Sequence, residues 1–281
     1  MQKFLNNIKI LPRSAIRWLR DKYLAILDLQ DRITKKEHEL VPPRSLHFVG
    51  DGDFKTTGET FFKHFVDKGA LCPNETVLDI GCGSGRMAIP LMNYIKLPGE
   101  YTGFDISKKA ILWCQENISR RNPCFNFIYA DIINKEYNPK GKVSSSNYRF
   151  PCDAASIDFA FATSVFTHLK SDDAYHYLTE IYRCLKESGR AFLTFFILDT
   201  FNKQQVNDRN ALLDFSTKLE NCYTIDKRTP ERAIAYSDDV LKNLISDAGL
   251  FIREPIFWGS WSGRKSMLNT QDIVIVTKKS T

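Results

Sequence analysis

The chain has 281 residues, 43% hydrophobic and 26% charged, with a formal net charge of +6, enough apolar material for one large core and a small addition. No apolar run approaches the ~20 residues of a bilayer-spanning helix, and the amino terminus lacks a signal peptide's uninterrupted apolar core, so neither a span nor export is expected. The seven cysteines show neither paired nor metal-ligand spacing, which points to reduced thiols, a cytoplasmic location and no bound metal.

Residues 1–44 hold ten Lys or Arg against five Asp or Glu, so they carry +5 of the total charge. The pattern reads as helix, with Pro12 and Ser14 suited to its start, Ile16, Leu19, Tyr23, Ile26 and Ile33 sharing roughly one face, and Pro42-Pro43 at its end. Such a basic amphipathic extension suits packing on the core or on a second subunit, or lying on an anionic membrane surface. The remainder is nearly neutral, so no groove for nucleic acid is expected. Residues 47–54 read as loop, and residues 58–69 as a helix burying Phe61, Phe62, Phe65 and Val66.

Residues 76–86 are the most telling stretch. A short apolar run ends in Asp79; Gly81, Gly83 and Gly85 follow at alternate positions, with Cys82 between them, and a helical pattern begins at Met87. Strand, bare turn and helix in that order let a ligand lie against backbone at a helix start. The spacing departs from the dinucleotide G-x-G-x-x-G, because the third glycine comes one residue early and Arg86 stands where the last would be. A second apolar segment, 101–106, places Asp105 at its tip, where an acid suits both hydroxyls of a ribose. A third, 125–132, ends in Asp131 and Ile132. A fourth, 157–164, ends in Ser164 and runs into His168. A helix over 174–186 leads to a turn and a fifth segment, 191–196.

These four motifs, over about residues 74–198, resemble those of the class I S-adenosylmethionine (SAM)-dependent methyltransferases. The resemblance implies a Rossmann-like, doubly wound α/β fold, with a mostly parallel seven-stranded sheet and an antiparallel last strand. It assigns the cofactor to Asp79, Gly81, Cys82, Gly83, Gly85, Asp105, Ile106, Asp131, Ile132 and Ser164. In that family the acid matching Asp105 holds the SAM ribose, Ile106 packs on adenine, Asp131 meets the adenine amino group and the next amide reads the ring. In related enzymes the region matching 45–73 often folds over SAM. Ser237 is suited to cap a helix over 238–248 that stops at Gly249. Strand six is then 251–258, and 272–277 would be the antiparallel edge strand.

Three segments exceed a minimal core: 133–150, 199–236 and 259–270. All leave the carboxyl ends of parallel strands, the cofactor edge, so they are expected to wall the acceptor. Within the last, Trp258, Trp261 and Arg264, interleaved with glycines, suit stacking on a sugar or another flat face. His168, just past strand four, is the candidate base for a hydroxyl acceptor, with the family's alternative that it only orients backbone or cofactor. His47 and His176 are weaker candidates, His176 being read as a surface residue.

Several chemistries are set aside. Pro151-Cys152 precedes strand four, unlike the nucleophile of cytosine C5-methyltransferases, so Cys152 reads as structural. Strand four lacks the signature of nucleobase amino methyltransferases, and Asp131 and Asp199 alone do not make a catechol-type metal site. Methyl transfer to a small-molecule or glycan hydroxyl is expected. Transfer to a small amine, a non-catalytic SAM-binding scaffold and a nicotinamide oxidoreductase remain the alternatives.

Overall fold

The apolar segments of the sequence pair into one seven-stranded sheet in the computed structural model, which describes residues 22–24, 26–29, 40–46, 53–134, 138–265 and 268–278. Its first five strands are β1 (Val77–Ile80), β2 (Tyr101–Asp105), β3 (Phe125–Tyr129), β4 (Ile157–Ala162) and β5 (Leu185–Phe195). A small second sheet holds β6 (Ile197–Leu198), β7 (Thr217–Lys218), β8 (Tyr223–Thr224) and β9 (Ile234–Ser237); β10 (Leu250–Phe257) and β11 (Asp272–Lys278) complete the first. The order β3-β2-β1-β4-β5-β11-β10 reverses direction between β1 and β4. Open α/β sheets place their ligand crevice at that switch point.

Only β11 runs against its neighbours. The sequence places it at the edge, but it lies between β5 and β10. Its first five residues are fully buried, which suits an Ile-Val-Ile-Val run covered on both faces better than an edge. β5 also starts earlier than expected, at Leu185, and takes up the anticipated turn as a register irregularity against β4.

Alternation along β4 explains the two layers of core. Phe159 and Phe161 point to one face, where Phe65 of α1 (Phe54–Asp67) stacks on Phe161 at 4.3 Å between ring centroids. Ala160 and Ala162 point to the other, and these small side chains let α4 (Ser171–Cys184) approach through Leu178 and Ile181. Phe61 and Phe65 are buried as expected, whereas Phe62 and Val66 are only half-buried. Asp53 caps α1 by accepting from the Thr56 amide at 2.8 Å.

The helix expected after the glycine turn shrinks to α2 (Ala88–Leu91), followed by turns, and α3 (Lys108–Cys114) starts at the cap residue Ser107. In α6 (Asp238–Asp247), Ser237 holds the N-cap position but its hydroxyl makes no capping bond, while Gly249 ends the segment at φ +81°.

The 199–236 insertion is a folded unit rather than a bare loop. It contains α5 (Thr200–Asn207), β7 and β8, and shares a small core of Phe196, Leu198, Val206, Phe215 and Trp261 with the 259–270 segment. Most of the amino-terminal extension and His47 lie outside the described residues; within it, residues 22–24 and 26–29 are helical, with Tyr23, Ile26 and Leu29 exposed. No helix among the described residues is long and apolar enough to cross a membrane.

Candidate active site

The glycine turn leaves β1 at the switch point. Gly81 and Gly85 have positive φ, +77° and +79°, and a Cβ on either would strike Val165 Cγ2 at 2.5 Å or Ile118 Cδ1 at 2.6 Å. Gly83 differs: its φ is +52°, yet a Cβ there would meet nothing within 4 Å. Two of these glycines therefore permit packing, and the third leaves room for something outside the chain. The Gly83 amide donates to Asp105 Oδ2 at 2.9 Å, and the Ser107 amide donates to Oδ1 at 2.7 Å. Burial raises the Asp105 pKa, opposed by these amides and that of Ile106.

A cavity of about 170 Å³ opens against this turn. Of the residues proposed from sequence, Gly81, Gly83, Asp105, Ile106, Ile132, Ser164 and His168 line it. Asp79, Cys82, Gly85 and Asp131 do not. Cys82 is buried beneath the turn, and Asp131 accepts from the Tyr129 hydroxyl at 2.9 Å. Of the 45–73 region, helix α1 packs on the sheet and does not line the cavity, and residues 47–52 lie outside the described residues. Sequence reasoning passed over eight further lining residues, among them Ser107, Thr163, Val165, Leu169 and Tyr177. A signal existed for Ser107, a capping residue two places after Asp105; the others carry no pattern of their own.

Asp79 turns back into the protein. Its Oδ2 accepts from the Tyr101 hydroxyl at 2.5 Å, while Oδ1 is buried with no partner among the described residues. Burial pushes its pKa up to about 8, against the pull of Tyr101 and with help from Asp105. The fold therefore favours the neutral acid. Stability from this site is full below the ordinary value of 3.8 and falls as pH rises towards 8. Asp79→Asn is expected to flatten that fall, leaving the variant more stable than the parent at pH 8. Thermal melts across the range check this; parallel curves would contradict it.

His168 lies in a 3-10 turn after β4, and its Nδ1 meets the Glu231 carbonyl at 2.8 Å. A carbonyl only accepts, so Nδ1 carries the proton and Nε2 is the basic nitrogen of the neutral ring. The insertion that supplies Glu231 holds the same segment elsewhere: Tyr236 donates to the Leu169 carbonyl at 2.5 Å and Ser171 to the Asn221 carbonyl at 3.0 Å. Ser164 adopts φ +60°, with its amide on Thr194 Oγ1 and its hydroxyl beside Gln271. Strain of that kind concentrates at functional sites. His176 is not the surface residue expected: it is half-buried, with Nε2 on the Tyr148 carbonyl at 2.8 Å.

The aromatic segment divides. Trp261 is 0% exposed, T-shaped against Phe196 and Phe215, and donates to Asp272 Oδ2 at 2.8 Å. Its expected role in stacking on an acceptor is therefore wrong, because neighbouring glycines in the sequence do not reveal that a second core encloses it. Trp261→Ala is expected to cost about 3–5 kcal/mol of stability, read as a fall in Tm. An unchanged Tm would refute its place in that core. Trp258 and Arg264 instead border an outer hollow of about 460 Å³. There the Arg264 guanidinium lies 4.3 Å from the Trp258 ring and 4.4 Å from that of Phe201, with Asp199 and Asn202 accepting from it.

Residues 77–189 match the family model of a methyltransferase domain. The fold is similar to that of magnesium protoporphyrin IX methyltransferase from Synechocystis PCC 6803, solved with bound SAH, at TM-score 0.52 and 13% identity over 91% of this chain and 99% of that one. It is also similar to a SAM-dependent methyltransferase from Clostridium acetobutylicum (0.51, 15%, 92% and 99%) and to the CcbJ methyltransferase of Streptomyces caelestis (0.52, 14%, 83% and 94%). At these identities the likeness concerns the fold.

Proposed function

We propose that this chain, whose residues 77–189 match the family model of a methyltransferase domain, is a class I SAM-dependent methyltransferase that transfers the methyl group to a hydroxyl of a small-molecule or carbohydrate acceptor. The cavity suits SAM on its own terms. Bare backbone at Gly83 faces open space, Asp105 ends β2 beside it, and Ile106 and Ile132 supply apolar walls. When bound, SAM supplies a sulfonium-activated methyl group, so the protein's task is alignment and exclusion of water.

His168 carries the hydroxyl reading. It lines the cavity, and its Nδ1 bond to the Glu231 carbonyl orients the ring and places the proton on Nδ1, so that Nε2 is the basic nitrogen. Ser164, Thr163 and Ser145 add hydroxyls to a wall that mixes apolar and polar side chains, a composition suited to placing a neutral acceptor. In this reading the outer hollow at Trp258 and Arg264 holds the far part of a larger acceptor.

The test is a screen of metabolite and glycan extracts with methyl-labelled SAM, the product being located by mass spectrometry and NMR. Label on an ether oxygen supports the proposal. Label on nitrogen overturns the hydroxyl assignment, and cofactor binding with no labelled product from any extract overturns catalysis.

A further inference from the structure

Cys152 and Cys184 are far apart in sequence, yet their sulfur atoms lie 2.7 Å apart, well inside ordinary sulfur–sulfur contact. Both are thiols. Cys184 ends α4 and is fully buried; Cys152 lies in the turn before β4 and is partly exposed. The backbone holds them together. The amides of Ala155 and Ser156 donate to the carbonyls of Arg183 and Cys184, each at 2.9 Å. The Arg183 guanidinium, paired with Glu180, donates to the carbonyls of Cys152 at 2.9 Å and Phe150 at 3.1 Å. A covalent bond between these sulfurs would therefore join main chain that is already fixed in place.

Reactivity follows the geometry. Hydrogen bonding from Cys184 lowers the pKa of Cys152, with Arg183 adding to the effect against burial, while burial raises those of Cys82, Cys114 and Cys222. A thiol of lowered pKa, partly exposed and beside a second thiol, is the arrangement that oxidises selectively.

The segment anchored by Cys152 also walls the cavity. Ser145 lines it, and Tyr148 and Phe150 pack on Phe104, another of its residues, at 5.6 and 4.9 Å between centroids.

We propose that Cys152 and Cys184 form a reversible, peroxide-sensitive dithiol whose closure adds a covalent tie to the hydrogen bonds already holding the end of the 138–152 segment on α4, prevents that end from detaching and slows cofactor exchange. The Cys152 thiolate attacks hydrogen peroxide; the O–O bond breaks, and the departing hydroxide is protonated to water. The resulting sulfenic acid is attacked by Cys184, a sulfur–sulfur bond forms and a second water leaves. Two thiols are oxidised by two electrons, and one peroxide is reduced to two waters. The effect on exchange rests on the SAM reading of the cavity; the oxidation does not.

The experiment treats the full chain with hydrogen peroxide, blocks remaining thiols and maps peptides without reduction. A Cys152–Cys184 cross-linked peptide is expected, reversed by dithiothreitol and absent from Cys152→Ser and Cys184→Ser. In Cys184→Ser, a dimedone probe should trap sulfenic acid at Cys152. Stopped-flow release of S-adenosylhomocysteine should be several-fold slower from the oxidised wild type and unaltered by peroxide in Cys152→Ser. Oxidation of other cysteines with no Cys152–Cys184 cross-link would overturn the proposal, as would a cross-link that resists dithiothreitol. Unchanged release from cross-linked protein would overturn the slowing of exchange. If the reduced protein binds neither SAM nor its product, the cofactor reading fails instead, and the peptide map still decides the oxidation.

Discussion

Gly83→Arg is expected to abolish SAM binding while the protein remains folded. The residue has φ +52° and nothing within 4 Å of where a Cβ would stand, so the new side chain enters the cavity rather than the core. The backbone conformation costs about 1–2 kcal/mol in an L-residue, which a domain of this size tolerates. A cofactor held against the turn would lose its place and, being itself a cation, would meet an added positive charge. Weakening on the order of a thousandfold, about 4 kcal/mol, is expected by calorimetry. Gly81→Ala and Gly85→Ala give the contrast: their Cβ atoms would lie 2.5 Å from Val165 and 2.6 Å from Ile118, so the main loss should be stability. Retention of SAM affinity in folded Gly83→Arg would remove the cofactor from this turn.

What the sequence made legible was local. Asp105 could be placed beside the turn because both end adjacent parallel strands, and a strand end is visible as an apolar run followed by an acid. The glycine turn was legible because alternate glycines have few other uses. Which glycine faces a ligand was not, since that depends on Val165 and Ile118, which arrive from other elements. Asp79 shows the same limit. Its position matches the motif, but its side chain is turned to Tyr101, one strand away. The misplacement of β11 is of another kind: the β-branched run in 272–277 identifies a strand but says nothing about which neighbour it inserts beside. Trp261 needed the environment built by Phe196 and Phe215, two segments distant in the chain.

The His168 assignment stands or falls on separating a proton acceptor from a fastening. His168→Ala removes both: it deletes Nε2 and the Nδ1 bond to the Glu231 carbonyl, which ties the turn after β4 to a residue 63 positions later. Turnover with the acceptor identified by the labelling screen should fall about 10²- to 10⁴-fold if proton removal is lost. SAM affinity should change only a few-fold, because Gly83, Asp105 and Ile106 are untouched. His168→Asn divides the two roles. Its amide can still donate to the Glu231 carbonyl but offers no basic nitrogen, so a base predicts that Asn is as impaired as Ala. Recovery of turnover in His168→Asn would make the histidine a strut for the 199–236 insertion and move the search for a base elsewhere. An acceptor that needs no base, such as a neutral amine, would leave both variants active. The pair of substitutions therefore reports on the chemistry of the acceptor as well as on the residue.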